Sequence, residues 1–247
     1  MNLVSEVYHG DNLEFMAKFP DGFFDLAVPD IEYCIGASAP TKKDARVTQK
    51  NGYVLNIKLP TYKKKNWDFK KSSDEYFKEL FRVSKNQIIW GGNYYGLSGG
   101  MIVWDKLNGE SDQMGCEIAW NSMNNRTDIV YYMWAGMMQG VYCGKNVRKA
   151  LVQQGNKQLN EKRIHETQKP IALYQWLYSE YARPGFKILD THMGSQSSRI
   201  AAYKMGFDYW GCELDNDHFI NGCKRFEEET YEPLLKEINK IKQQTIF

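Results

Sequence analysis

The sequence predicts an α/β fold, a doubly wound and mostly parallel sheet with helices on both faces. Short apolar runs at 24–28, 87–90 and 187–190 alternate along the chain with helix-period segments at 74–83, 171–181 and 200–205. Such alternation is built as a parallel sheet with crossover helices. The strand candidates are continuously apolar, as strands covered on both faces are. The 247 residues, 43% hydrophobic and 25% charged, are enough for one α/β domain with insertions.

Taken in order, residues 4–8 alternate and end at Gly10-Asp11, which predicts a short strand and a turn. Residues 12–19 carry Leu13, Met16 and Ala17 at helical spacing and stop at Pro20-Asp21-Gly22. The run 24–28 is a buried parallel strand leading to Asp30. Residues 37–71 hold no sustained period and contain Pro40, Pro60 and Asn51-Gly52. They read as a long loop with a hairpin around 51–59, and a loop of that length is usually functional. Residues 74–83 form an amphipathic helix capped by Ser72 or Ser73, and 87–90 a strand closed by Gly91-Gly92. Strands follow at 101–104, 117–120 and 129–133, with the last two candidates for pairing. Residues 136–164 are polar and rich in Gly, Gln and Asn, with little core signal. A helix at 171–181, a turn at Pro184-Gly185 and a strand at 187–190 complete the pattern up to Asp190.

Composition excludes several classes. No apolar run is long enough to span a membrane, and the first residues lack the basic and apolar regions of a signal peptide, which predicts a cytoplasmic protein. Five cysteines, at 34, 116, 143, 212 and 223, form no CxxC pair, and the four histidines do not cluster. No metal site or disulfide framework is expected. The net charge of +2 is unevenly spread. Residues 40–71 hold ten Lys/Arg against two Asp, and 145–163 hold six against one Glu, so the rest of the chain is strongly acidic. Two basic segments, the first interleaved with Tyr53, Tyr62 and Trp67, point to a polyanion-facing surface. Lys42, Lys43, Lys63, Lys64, Lys65, Arg148 and Lys149 are the candidate phosphate contacts. The alternative is a pair of solvated lysine-rich loops.

The most informative stretch is Lys187-Ile-Leu-Asp190-Thr-His-Met-Gly194-Ser-Gln-Ser-Ser, followed by the apolar-periodic residues 200–205 and then Tyr-Trp-Gly-Cys-Glu213. This is a strand–loop–helix–strand unit with a carboxylate at the tip of each strand. Such a unit grips a nucleoside, its second acid accepting ribose hydroxyls. The loop has one glycine, Gly194, and lacks the three-glycine dinucleotide fingerprint. A cofactor with ribose and adenine but no phosphates fits, and S-adenosylmethionine is one. The alternative is an ordinary βαβ unit.

A second constellation, Asp30-Ile31-Glu32-Tyr33, directly follows the buried strand at 24–28. Ligands of open α/β sheets bind beyond the carboxyl ends of strands. An exocyclic amino group on adenine or cytosine is a poor nucleophile because its lone pair is conjugated with the ring. Two acceptors holding its hydrogens favour a tetrahedral nitrogen and aim the lone pair at an electrophile. Asp30 and the Ile31 carbonyl are candidates for that task, with Tyr33 stacked on the base. The alternative is an acid at a strand end beside a packed tyrosine.

Four segments together resemble an amino-group DNA methyltransferase of the circularly permuted β class, N6-adenine/N4-cytosine type, and most of all its compact, adenine-specific, phage-like forms. Gly10-Asp11-Asn12-Leu13-Glu14 is similar to the family's GDCLE, Asp30–Tyr33 stands at its DPPY, His165-Glu-Thr-Gln-Lys-Pro170 at its HPTQKP, and Asp190–Ser195 within its DPFMGSG. The resemblance implies the Rossmann-like fold of S-adenosylmethionine-dependent methyltransferases. It implies that Asp190, Gly194 and Ser195 hold the methionine end of the cofactor, that Glu213 takes the ribose hydroxyls, and that Asp11 receives the adenine amino group, with Asn12 and His192 as further cofactor-binding candidates. Thr167, Gln168 and Lys169 would close over the cofactor's carboxylate side, and residues 136–164 would be a small target-recognition segment. Ile31 and Glu32 stand where the family has two prolines, Gln196 where it has glycine, His192 where phenylalanine is common, and Glu166 where proline is.

The function expected is transfer of a methyl group from S-adenosylmethionine to the exocyclic amino nitrogen of a flipped adenine in double-stranded DNA. Asp30 follows the adenine form of the motif. The alternatives are N4-cytosine methylation and a catalytically silent DNA-binding module on the same scaffold. A homodimer is an open alternative for the assembly.

Overall fold

Side-chain alternation along the central strands dictates the architecture. The computed structural model describes residues 3–34, 45–48, 53–57, 71–108, 114–135, 138–140, 160–165 and 167–244. In β2 (Leu26–Ala27) and its flanks, Leu26 and Val28 pack into one buried cluster and Ala27 into a second. In β5 (Ile88–Trp90), Ile88 and Trp90 join the first cluster and Ile89 the second. Successive strand residues point to opposite faces, so continuously apolar strands need cover on both sides. On one face lie α3 (Ile171–Tyr181) and α4 (Ser197–Met205), supplying Leu173, Leu177, Ile200 and Ala201. On the other lie α1 (Asn12–Met16) and α2 (Asp74–Val83), supplying Phe15, Met16, Leu80 and Val83. Ser73 caps α2 by accepting a hydrogen bond from the Tyr76 amide at 3.2 Å.

The sheet comes in two halves. In the first, β1 (Ser5–His9), β12 (Asp208–Glu213), β11 (Lys187–Asp190) and β2 lie side by side, all parallel. In the second the order is β5, β7 (Cys116–Asn121), β6 (Gly100–Asp105) and β8 (Thr127–Tyr131), with β7 antiparallel to both neighbours and β8 parallel to β6. Parallel bridges Phe24–Ser84, Ala27–Gln87 and Asp30–Trp90 join the halves between β2 and β5. Only β7 opposes the common direction. The carboxyl ends of β1, β12, β11 and β2 therefore share one edge, and Gly10-Asp11, Glu213, Asp190 and Asp30 emerge from it.

Several expectations are corrected. The strands near 117–120 and 129–133 do not pair, because β6 lies between them. In the basic segment β3 (Ala45–Thr48) pairs antiparallel with β4 (Val54–Ile57), so the paired residues begin ahead of the predicted 51–59. Residues 12–19 are helical only through Met16. At the edge of the polar segment, β9 (Trp134–Ala135) and β10 (Met138–Gln139) form a small antiparallel pair. A long α5 (Asn216–Gln244) follows β12 and spans Gly222 and Pro233, both breakers by propensity. Lys42, Lys43, Lys63, Lys64, Lys65, Arg148 and Lys149 lie outside the described residues. No helix among the described residues is long and apolar enough to cross a membrane.

One close approach sets the position of the loop after β11. A Cβ at Gly211 of β12 would fall 2.5 Å from Met193 Sδ and 2.9 Å from the Asp190 carbonyl oxygen. Glycine lets this loop lie flat on the neighbouring strand. Gly211→Ala should destabilise the protein by about 1–3 kcal/mol through overpacking, measured as a lower midpoint in thermal unfolding. A wild-type midpoint would mean that the loop gives way freely.

Candidate active site

The shared strand edge opens into a cavity of about 760 Å³. It is lined from β1 and α1 by Asp11 and Asn12, from the end of β2 by Asp30, Ile31 and Tyr33, and from the segment before α3 by Thr167, Gln168 and Lys169. The loop after β11 adds His192, Gly194 and Ser195, and β12 adds Glu213. Of the residues assigned to catalysis or cofactor binding from sequence, Asp190 alone does not line the cavity. It is buried, its carboxylate accepting the His192 amide at 2.9 Å and the Ser198 hydroxyl at 2.5 Å. Asp190 shapes the loop from behind, and burial pushes its carboxyl up to about 6.

The tetrapeptide after β2 is anchored residue by residue. Asp30 bridges Trp90, and the Ile31 side chain is buried among the α1–α2 cluster. Tyr33 stacks on Tyr94, with ring centroids 5.2 Å apart, and lies so close over Gly91 that a Cβ there would come within 2.3 Å of its ring. The Tyr33 hydroxyl donates to Glu117 Oε2 at 2.9 Å or Asp30 Oδ1 at 3.1 Å, and accepts from Lys169 Nζ at 3.0 Å.

Lys169 is the centre of this arrangement. Its ammonium, 3% exposed, pairs with Asp30 Oδ1 and with Glu117 Oε2 at 2.9 Å. Lys106 Nζ meets the other Glu117 oxygen at 2.6 Å. Two carboxylates and two ammonium groups thus balance in a buried cluster. Burial pushes Glu117 up, but contact with both lysines outweighs it and holds the group at about 2. Asp30 shares a single lysine and faces Glu117, so burial and that like charge leave it raised against the pull of Lys169. Burial opposes the charge on Lys169, yet the two carboxylates more than offset it and raise its pKa.

The other side of the cavity is equally connected. Glu213 accepts the Gly194 amide on one oxygen and the Asp215 amide on the other, both at 2.8 Å. Each carboxylate oxygen can accept a second bond, so a ribose hydroxyl can still be received. Gly194 adopts φ +47°, and a Cβ there would meet nothing within 4 Å, so the wall at that point is open. Asp11 caps α1 through the Leu13 and Glu14 amides at 2.8 and 3.1 Å. Gln168 turns its amide into its own segment, to Glu161 Oε1, the Lys162 carbonyl and the Ile164 amide. Thr167 is held by His165 Nδ1 at 3.1 Å.

Sequence reasoning missed Glu117, Lys106, Glu161 and Arg225. Glu117 shares strand parity with buried Ala119 and Asn121, and a carboxylate in that register is a weak signal of an inward charge. Arg225 of α5 pairs with Glu161 and donates to the Ser195 carbonyl at 2.6 Å and the Ser197 hydroxyl at 3.0 Å. It ties the segment before α3 to the loop after β11.

Comparison with known proteins gives the family and the fold. The chain matches the DNA methylase family over residues 25–220. It is 21% identical over 248 residues to the Type II methyltransferase M2.DpnII of Streptococcus pneumoniae, covering 90% of this chain and 89% of the relative. The crystal structure of M1.HpyAVI in complex with SAM superposes with a TM-score of 0.50 at 16% identity, covering 89% of this chain and 98% of the other. PvuII DNA methyltransferase, described as cytosine-N4-specific, gives 0.50 at 12% identity, covering 91% and 87%.

Removing one partner from a buried charge cluster leaves the others uncompensated. Lys169→Ala should cost about 3–5 kcal/mol, read from urea denaturation. Lys204→Ala, which breaks a half-exposed pair with Glu229, should cost about 0–1 kcal/mol. Equal losses would contradict the burial argument.

Proposed function

This chain belongs to the DNA methylase family, and from that premise we propose that it methylates the exocyclic amino nitrogen of adenine in double-stranded DNA. The observation that carries the reading is the shared cavity: Asp30 and Tyr33 face the same space as Glu213 and the Gly194 loop. A nucleoside held by the second set lies beside a base held by the first.

The residues present fit S-adenosylmethionine. The volume suits a ligand of that size, Glu213 retains acceptor capacity, and Gly194 leaves room along the wall. When bound, the cofactor supplies an electrophilic methyl group. Glu213 receives the ribose hydroxyls, Asp11 and Asn12 the adenine end, and His192, Gly194 and Ser195 the methionine end. Asp190 acts through the loop it shapes. Thr167 lines the cofactor side, while Gln168 fixes its own segment.

Asp30 accepts one hydrogen of the target amino group and the Ile31 carbonyl the other, which frees the nitrogen lone pair from the ring. Tyr33 packs against the flipped base, its ring fixed by Gly91 below and its hydroxyl by Glu117 and Lys169. Lys169 favours the ionised form of Asp30, the stronger acceptor. Asp30 in the first motif position favours adenine. N4-cytosine transfer is the second reading, because the superposition with a cytosine-N4-specific enzyme is as good as that with M1.HpyAVI. Methylation-sensitive sequencing of DNA from cells expressing the protein separates the two. The basic segments, with Lys42, Lys43, Lys63, Lys64, Lys65, Arg148 and Lys149, supply phosphate contacts.

Asp30→Asn should lower kcat by about 10²–10³-fold with little change in cofactor affinity, since the carboxylate acts on the reacting nitrogen. In the wild type, kcat should rise with pH through the raised Asp30 pKa, above the ordinary aspartate value of about 3.9. Wild-type turnover in the variant would end this mechanism, and absence of any methylation by the wild type would favour a silent DNA-binding module. Replacing Lys63, Lys64 and Lys65 by Gln should flatten the salt dependence of DNA binding by up to about three log units per log salt. An unchanged slope would return that run to a solvated loop.

A further inference from the structure

The cavity wall contains an ion pair whose acidic member, Glu32, none of the roles above uses. Glu32 Oε1 faces His192 Nε2 at 3.6 Å, with side-chain exposures of 21% and 17%. Glu32 Oε2 accepts the Ser72 hydroxyl at 2.8 Å, and the Glu32 carbonyl accepts the Tyr95 hydroxyl at 2.8 Å. His192 Nδ1 lies 3.0 Å from Thr191 Oγ1, and Asn12 Nδ2 is 3.3 Å from its Nε2. The Tyr76 ring meets its edge at 5.3 Å, and Asp190 and Glu213 act on it at longer range.

We propose that Glu32 and His192 are positioning residues whose ion pair clasps the base-binding loop after β2 to the cofactor loop after β11. The two loops leave neighbouring strands, but no ladder joins them beyond the strand ends. Transfer between two bound molecules depends on the relative placement of their loops to within a fraction of an ångström. A direct contact between the loops supplies that placement. Ser72 and Tyr95 hold the Glu32 end, and Thr191 and Tyr76 hold the His192 end, so neither side chain must be ordered by the other. This rests on the methyl-transfer reading above.

Burial pushes the Glu32 carboxyl up, but the charge of the nearby His192, with help from the Ser72 hydroxyl, holds it at about 2. Burial works against charge on His192, and Glu32 first, then Asp190 and Glu213, outweigh it and raise its pKa. The charged pair therefore exists from about pH 2 up to the raised His192 pKa and is lost as pH climbs through it.

The test is a double-mutant cycle on the full chain with Glu32→Gln, His192→Gln and the pair together, plus the exchange Glu32→His/His192→Glu. Each single variant should lower kcat by about ten- to a hundredfold with a smaller change in the cofactor Kd, the double variant should be no worse than either single, and the exchange should recover part of the loss. The alkaline fall of kcat should disappear in Glu32→Gln, and the His192 imidazole pKa, followed by NMR, should fall in the same variant. Additive losses, or an imidazole pKa indifferent to Glu32, would overturn the clasp. The NMR titration and calorimetric cofactor binding need no DNA. A wild type that methylates nothing would therefore strike the functional reading, while a His192 that ignores Glu32 would strike the clasp alone.

Discussion

The buried ammonium of Lys169 is the interaction on which the site depends. A charge at 3% exposure is tolerable only with close counter-charges. It finds them on the loop after β2 and on β7, through Asp30 and Glu117. Lys169 itself precedes α3, and its carbonyl accepts the Ser197 hydroxyl at the start of α4. One side chain and its own peptide group thus join four parts of the fold that are far apart in the chain. Because desolvation makes each partner costly to lose, the cluster holds Asp30 and Tyr33 in one arrangement at the cavity wall.

The loop after β11 is held with comparable economy of parts. Gln196 adopts φ +59°, a left-handed conformation that costs a non-glycine residue about 1–2 kcal/mol. Its fully buried side chain turns away from the cavity to bond Arg199 at 2.9 Å and rests where a Cβ on Gly222 would come within 2.8 Å of it. A bulky residue in the loop is accommodated by a missing one in α5. The departure from glycine in the cofactor loop therefore leaves the cavity wall clear, and Arg225 on the same helix secures the next carbonyl. Glu32 and His192, both unusual for their motifs, meet each other across the cavity.

How much of this was legible varies by the range of the forces involved. The strands at 187–190 and 208–213 and the helices at 74–83 and 171–181 stand where apolar period and capping placed them, because those signals are local. The strand tips bearing Asp30, Asp190 and Glu213 were equally readable, since a buried run ending in an acid is a local pattern. α5 was not among the elements read, although Phe219, Cys223, Phe226 and Leu234 recur at helical spacing, because Gly222 and Pro233 interrupt that pattern by propensity. The order of β6, β7 and β8 was not readable either: three similar runs carry no label for their neighbours.

The sequence by itself determined the doubly wound sheet, the two loops at its carboxyl edge and the chemistry their residues can perform, because hydrophobic period and short motifs act over a few neighbouring positions. Only the tertiary structure decided that Asp190 supports its loop from behind, that Lys169 faces Asp30, and that Glu117 and Lys106, outside every motif, complete the buried charge balance. Those outcomes depend on which distant groups must share a desolvated space, and electrostatic pairing across 52 residues from Glu117 to Lys169 leaves no periodic trace in the chain.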